Sequence, residues 1–249
     1  MSEKPRGSGN TTVKARLIEA AIRLISDGGP EALQARKLAA EVGASTMAVY
    51  THFGGMGALV DAVAREGFLR LSAHMARVAE TDDPVADLFT LALAYRRAAV
   101  ANPQLFAVTF GQSAPSGQRA TLSDLTSEEG RSEPHEGNEA FGYLLRGAER
   151  AIDAGRFKAT DPLAAAFQLW SGLHGFVTLE TSGHFGTAEH GVDHILLPLS
   201  ITLAIGLGDE AEAARASGEA AITGWRENGG NVGGPWDDVQ VTGQSEGQG

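Results

Sequence analysis

Residues 33–53 read LQARKLAAEVGASTMAVYTHF, and the parsing of that stretch decides the fold. Leu38, Ala39 and Val42 share one side of a helix predicted over about 34–42. Gly43 follows, the residue best suited to the left-handed backbone that ends a helix. Ser45 then offers a side-chain oxygen to cap a second helix. In that helix Val49 and Phe53 lie four apart, on one face, and lock it to its neighbours. Ser45, Thr46, Tyr50, Thr51 and His52 carry hydroxyls and one imidazole, groups that suit phosphate oxygens and base edges. Two short helices, a tight Gly turn and a cap describe a helix-turn-helix, whose second helix enters the DNA major groove. Arg36 and Lys37 on the first helix are cations in reach of the flanking backbone. The plain alternative makes Tyr50 and Phe53 core aromatics of a helical hairpin.

Working outward, Thr11 or Thr12 caps a preceding helix whose Val13, Leu17, Ala20, Ala21, Leu24 and Ile25 keep a helical period. Asp27-Gly28-Gly29-Pro30 ends it. The stretch from about Thr11 to Phe68 resembles the N-terminal DNA-binding domain of the TetR (tetracycline-repressor-like) family of bacterial regulators. The residues that carry the resemblance are Ala20-Ala21, the DGG turn at 27–29, ARKLAAEVG at 35–43 and VYTHF at 49–53, followed by a helix opening near Gly57. It implies DNA contact from Gln34, Ala35, Arg36 and Lys37 and from Ser45, Thr46, Met47, Tyr50, Thr51 and His52. One departure stands out. The family usually places a lysine against a phosphate just after the recognition helix, where this chain reads Gly54-Gly55-Met56-Gly57. Backbone N–H groups at the next helix start can take that place.

Charge is divided along the chain. Residues 1–60 hold seven Lys and Arg against five Asp and Glu, a net of +2; residues 61–249 hold thirteen against twenty-six, a net of −13. The total of −11 therefore conceals a cationic stretch where DNA contact is expected and an acidic remainder that repels phosphate. The 249 residues suffice for a substantial core. No run of 18 apolar residues suggests a membrane span, and MSEKPRGSGNTT has no signal-peptide core. Zero cysteines exclude disulfides and thiolate sites and suit a reducing cytoplasm.

The predicted fold is all-α. Residues 1–10 form a polar arm in which Lys4 and Arg6 can add phosphate contact, 11–57 the helix-turn-helix domain, 58–208 a helical ligand-binding and dimerisation domain, and 209–249 an acidic, Gly-rich, partly disordered tail. A long helix over about 58–79 links the first two. Asp83-Pro84, Asn102-Pro103 and Asp161-Pro162 mark helix starts. Residues 112–138 read as a long loop, an insertion in preference to a lid. Further helices are predicted over 139–154, 162–181 and 192–207, the last kinked at Pro198. A frayed helix over 209–225 and a brief strand-like VQV at 239–241 complete the chain. The 162–181 and 192–207 helices are apolar nearly all round and call for burial on every side, which a second copy of the chain would complete as a homodimer. The family dimerises in this way, and WSGLHGFVTLE at 170–180 resembles the C-terminal region of one of its branches.

No enzyme constellation is present: no nucleophilic Cys, no phosphate-cradling Gly loop with its Lys, and no Gly-x-Ser-x-Gly. His190 and His194 lie four apart with His184 nearby, but Gly191 stands where a zinc-protease motif has its Glu, so a solvated helix start is favoured and neither metal nor cofactor is expected. Tyr95, Phe106, Phe110, Phe141, Trp170 and His174 are candidates to line a site for a small, mostly apolar effector, with core packing as the ordinary role of most. Phe176 belongs to the same set. His174, between Gly172 and Gly175, needs a polar partner, protein or ligand. The residues thus favour a DNA-binding, ligand-responsive homodimeric repressor over a ligand-sequestering protein that keeps the motif as structure.

Overall fold

In the computed structural model, which describes residues 12–230 apart from 123, 133–135, 159–160 and 186–187, every regular element is helical and no strand occurs among the described residues. Lys4, Arg6 and the 239–241 stretch lie outside the described residues. The chain divides into two compact units, residues up to 66 with 107–122, and residues 67–106 with 123 onward.

The first unit begins with α1 (Val13–Gly28), capped by Thr12, whose hydroxyl accepts from the Ala15 N–H at 3.2 Å. Leu17, Ala20, Ala21, Ile22 and Ile25 form its buried face. Val13 is exposed and Leu24 half-buried, and Ile22 takes an inward position. A 3-10 turn (Pro30–Ala32) leads to α2 (Ala35–Val42) and α3 (Thr46–Phe53). Gly43 adopts the left-handed conformation (φ 65°, ψ 35°) that closes α2, with the Ala44 N–H returning to the Ala39 carbonyl. Arg16 of α1 donates to the otherwise orphaned Val42 carbonyl at 2.8 Å, tying α1 to the end of α2. Ser45 departs from expectation. Its carbonyl, not its hydroxyl, closes the first turn of α3 by accepting the Ala48 N–H, so the hydroxyl stays exposed at the helix start.

Helix α4 (Met56–Met75) contributes residues to both units. Its Leu59, Val60 and Val63 are buried in the first and Phe68, Leu71 and Met75 in the second. The 107–122 stretch takes in the end of α6 (Pro103–Thr109) and a 3-10 turn (Pro115–Gly117), whose Ser116 donates to the Leu33 carbonyl at 2.5 Å. The loop expected over 112–138 is therefore partly structured. It also contains the short α7 (Glu128–Ser132), and α8 (Glu136–Asp153) begins earlier than expected.

In the second unit α5 (Pro84–Ala101) is central, with two-thirds of its residues buried and none exposed, flanked by α8, α9 (Pro162–Thr181) and α12 (Ala211–Glu227). Asp83, Asn102 and Asp161 each accept from N–H groups of the following helix, as their Asx-Pro spacing predicts. Gly147 of α8 permits close approach to α5, since a Cβ there would stand 2.5 Å from Leu88. The expected kink at Pro198 is displaced. The turn before it, Val192–Leu196, winds as a π-helix between α10 (Ala188–Gly191) and α11 (Leu197–Gly206), and absorbs the ladder break that a residue without N–H imposes. Nor is α12 frayed. Asp83 accepts from Arg156 (2.9 Å) and Ser217 (2.6 Å), while Arg156 also donates to Asp209 at 2.7 and 2.8 Å. These bonds fix the start of α5, the turn after α8 and α12 together. Burial works to raise the Asp83 pKa, but the Ser217 hydroxyl, the capping N–H groups and Arg156 outweigh it and hold the carboxyl below its ordinary value.

Candidate functional site

The surface of α3 is the first place where candidate residues gather. Val49 is fully buried and Phe53 half-buried, with the Lys14 ammonium 5.6 Å from its ring centre. This apolar anchor turns the opposite side outward: Ser45, Thr46, Met47, Tyr50, Thr51 and His52 are all exposed. The side chain between the two anchors is therefore not core, which excludes the helical-hairpin role for Tyr50. On α2, Gln34, Arg36 and Lys37 are exposed and Ala35 is half-buried. Gly54 ends α3 with its N–H on the Tyr50 carbonyl, and α4 opens at Met56. Gly54 and Gly55 have open space where a side chain would be, and Met56 and Gly57, which open α4, are half-buried.

The second place lies inside the larger unit, where Tyr95 from α5, Phe106 from α6, Phe141 from α8, and Trp170 and His174 from α9 meet. Ring centres stand 5.5 Å apart for Tyr95–Phe106, 5.7 Å for Phe106–His174, 5.5 Å for Trp170–His174 and 5.9 Å for Phe141–Trp170. A polar chain runs through this wall. The Trp170 indole N–H donates to the Tyr95 oxygen (3.3 Å), and the Tyr95 hydroxyl shares a hydrogen bond of 2.7 Å with His174 Nδ1. Burial pushes the His174 pKa below 6.5 and the Tyr95 pKa well above its ordinary value, so both are neutral near pH 7. The partner that His174 requires is thus a protein hydroxyl, 79 positions away.

Phe176 stacks on Phe185 (5.2 Å) instead, and Phe110 is half-buried near the end of the 103–109 helix. Phe167, not singled out from sequence, packs on Phe141 at 4.7 Å; its place one turn before Trp170 was the available signal. A groove of about 670 Å³ was also illegible, being built by Arg77, Thr81 and Thr90 against Trp225 and Asn228 from a distant part of the chain. His190 and His194 have ring centres 4.3 Å apart, both exposed, and beside them Asp193 is held by Arg226 at 2.7 Å. Among the described residues no three metal-ligating side chains converge. No helix among them is long and apolar enough to cross a membrane.

Comparison with known proteins gives two family matches, at separate stretches of the chain. Residues 17–63 match the model for bacterial regulatory proteins of the tetR family, and residues 88–196 the model for the tetracyclin repressor-like C-terminal domain. No curated protein matches by sequence at a significant level. Among solved structures, a protein of unknown function from Rhodococcus sp. RHA1 is 27% identical, with a TM-score of 0.63 over 83% of this chain and 100% of that one. RolR, solved without ligand, shares the fold at 16% identity and a TM-score of 0.59, covering 82% of this chain and 96% of its own. The TetR-family regulator PfmR from Thermus thermophilus shares it at 20% identity and a TM-score of 0.52, with 80% and 98% covered.

Proposed function

The chain belongs to the TetR family of bacterial transcriptional regulators, and from that premise we propose that it is a ligand-responsive homodimeric repressor of a pseudo-palindromic operator. The observation that carries the reading is α3: its anchor is buried while Thr46, Met47, Tyr50, Thr51 and His52 are all presented outward. Two copies of α3 then occupy successive major grooves, roughly 34–36 Å apart or somewhat more. Arg36 and Lys37, the Ser45 hydroxyl and the first N–H groups of α4 meet phosphates, while Gln34 and Ala35 flank them. In this reading residues 11–57 contact DNA, and residues 58–208 bind effector and dimerise.

Dimerisation draws support from faces that one chain leaves open. On α9, Ala164, Gln168, Ser171, Gly175 and Leu179 recur at helical spacing and are all exposed. On α11 the same holds for Pro198, Thr202 and Ile205. Helices this apolar bury such faces against a second copy, giving a four-helix arrangement.

For the effector, the wall formed by Tyr95, Phe106, Phe141, Trp170 and His174 suits a small, mostly apolar molecule; Phe110 is the remaining candidate. RolR has been solved with resorcinol, so this fold holds a small phenol in that relative. Effector binding biases the separation of the two α3 helices through α4, whose residues belong to both units.

The test is selection of bound fragments from a genomic library with the purified protein, followed by footprinting. Recovery of a two-fold symmetric site, lost in Tyr50→Ala and in His52→Ala while both variants stay folded, is the expected result. A folded dimer that enriches no site would leave the ligand-sequestering reading.

A further inference from the structure

We infer that α3 reads thymine methyl groups through Met47 and Tyr50, so that the operator half-site is specified at T·A pairs and not at guanines. The inference rests on the reading of α3 as the DNA-reading helix. Two observations carry it, one from what the helix lacks and one from what it exposes.

The strongest major-groove readers are bidentate: Arg or Lys on guanine O6 and N7, and Asn or Gln on adenine N6 and N7. The stretch from Ser45 to Phe53 contains none of these four residue types. Its hydroxyls and the His52 imidazole each make single hydrogen bonds. The exposed cations of this region, Arg36 and Lys37, lie on α2, where the flanking phosphates are the natural partners.

What α3 does present is apolar surface. Met47 is 67% exposed and Tyr50 50%, and both lie on a helix of eight residues. Single exposed apolar side chains are ordinary. These two, however, stand three apart and so neighbour one another on the helix surface. Met47 is also in the first turn, the part of a recognition helix that reaches base edges. Among the four ordinary bases, only thymine carries an apolar group into the major groove, its C5-methyl. An unbranched, polarizable thioether adapts readily to such a group. Affinity then comes from phosphate contacts and discrimination from methyl burial.

The test uses the full chain and the site recovered by selection from random-sequence DNA. Each thymine of that site is replaced, symmetrically in both half-sites, by deoxyuridine, which lacks only the methyl. At one or more positions uracil is expected to weaken binding by about fourfold per methyl lost, the loss for one buried methyl-sized group. Met47→Ala should erase the difference between thymine and uracil at the positions Met47 covers, leaving only those that Tyr50 covers, whereas Met47→Leu, which keeps the apolar area, should still distinguish them. The Leu variant also decides the matter if the Ala variant proves unstable. The inference is overturned if the site is bound specifically yet no uracil substitution matters, or if 7-deazaguanine, which removes N7, gives the dominant loss. Selection that enriches no site at all has a different meaning: it removes the regulator reading, and this inference with it.

Discussion

Tyr95 and His174 satisfy each other's buried polar atoms, so each makes removal of the other costly. Tyr95→Phe removes the hydrogen bonds that its oxygen makes to His174 Nδ1 and to the Trp170 indole N–H. The expected loss is about 1–3 kcal/mol, measured by urea denaturation; a change within error would mean that the 2.7 Å contact contributes nothing net. Burial also gives His174 a pH signature. Its folded pKa lies below the unfolded value of 6.5, so the unfolded chain takes up the proton first as pH falls. The contribution is complete above 6.5 and is lost as pH falls from 6.5 through the folded value. His174→Gln should therefore flatten the acid side of a stability profile that slopes in the parent protein, and an unchanged slope would assign the acid sensitivity elsewhere. At this scale the sequence was half legible. A lone imidazole between two glycines in an apolar helix announces a need for a partner. Nothing local says that the partner is Tyr95, because the pairing exists only once α5 and α9 pack.

For the elements, Asx-Pro punctuation was readable because cap chemistry is local, and it placed the starts of α5, α6 and α9. The register of α11 was not. A proline predicts a break in the ladder but does not say whether the chain bends or widens into the π turn at Val192–Leu196. Likewise α12 looks weak from composition, and its order comes from the Asp83–Arg156–Asp209–Ser217 bonds and from α5. Asp83→Ala removes a cap, costing about 1 kcal/mol, and also an acceptor of Arg156 and of Ser217. A total of about 2–4 kcal/mol is expected by chemical denaturation, well above that of Ser217→Ala; equal losses would show that the cap is the minor role. On the open face of α9, Leu179→Arg puts a charge where a second copy is proposed to pack. Sedimentation should show monomers, and a dimer of unaltered affinity would move the interface away from that face.

The whole molecule separates its charge as it separates its proposed tasks. The stretch that carries α2 and α3 is net cationic and the acidic remainder is unsuited to DNA, a split that sequence alone displayed. Composition cannot state whether the two tasks are coupled, because coupling is a difference between conformations. Coupling can be tested before the effector has been identified. Small apolar and phenolic compounds are screened for those that raise the melting temperature of the purified protein, and each hit is titrated with and without operator. A true effector is expected to weaken operator binding by about 5- to 150-fold, and saturating operator must weaken effector binding by that same factor. Trp170→Ala should abolish the response of operator affinity to the compound while leaving its value in the absence of compound unaltered, since Trp170 lies in the aromatic wall and not on α3. A compound that binds tightly yet leaves operator affinity untouched at saturation would show that the wall holds ligand without gating DNA. A compound whose effect survives Trp170→Ala would place the gate elsewhere in the molecule.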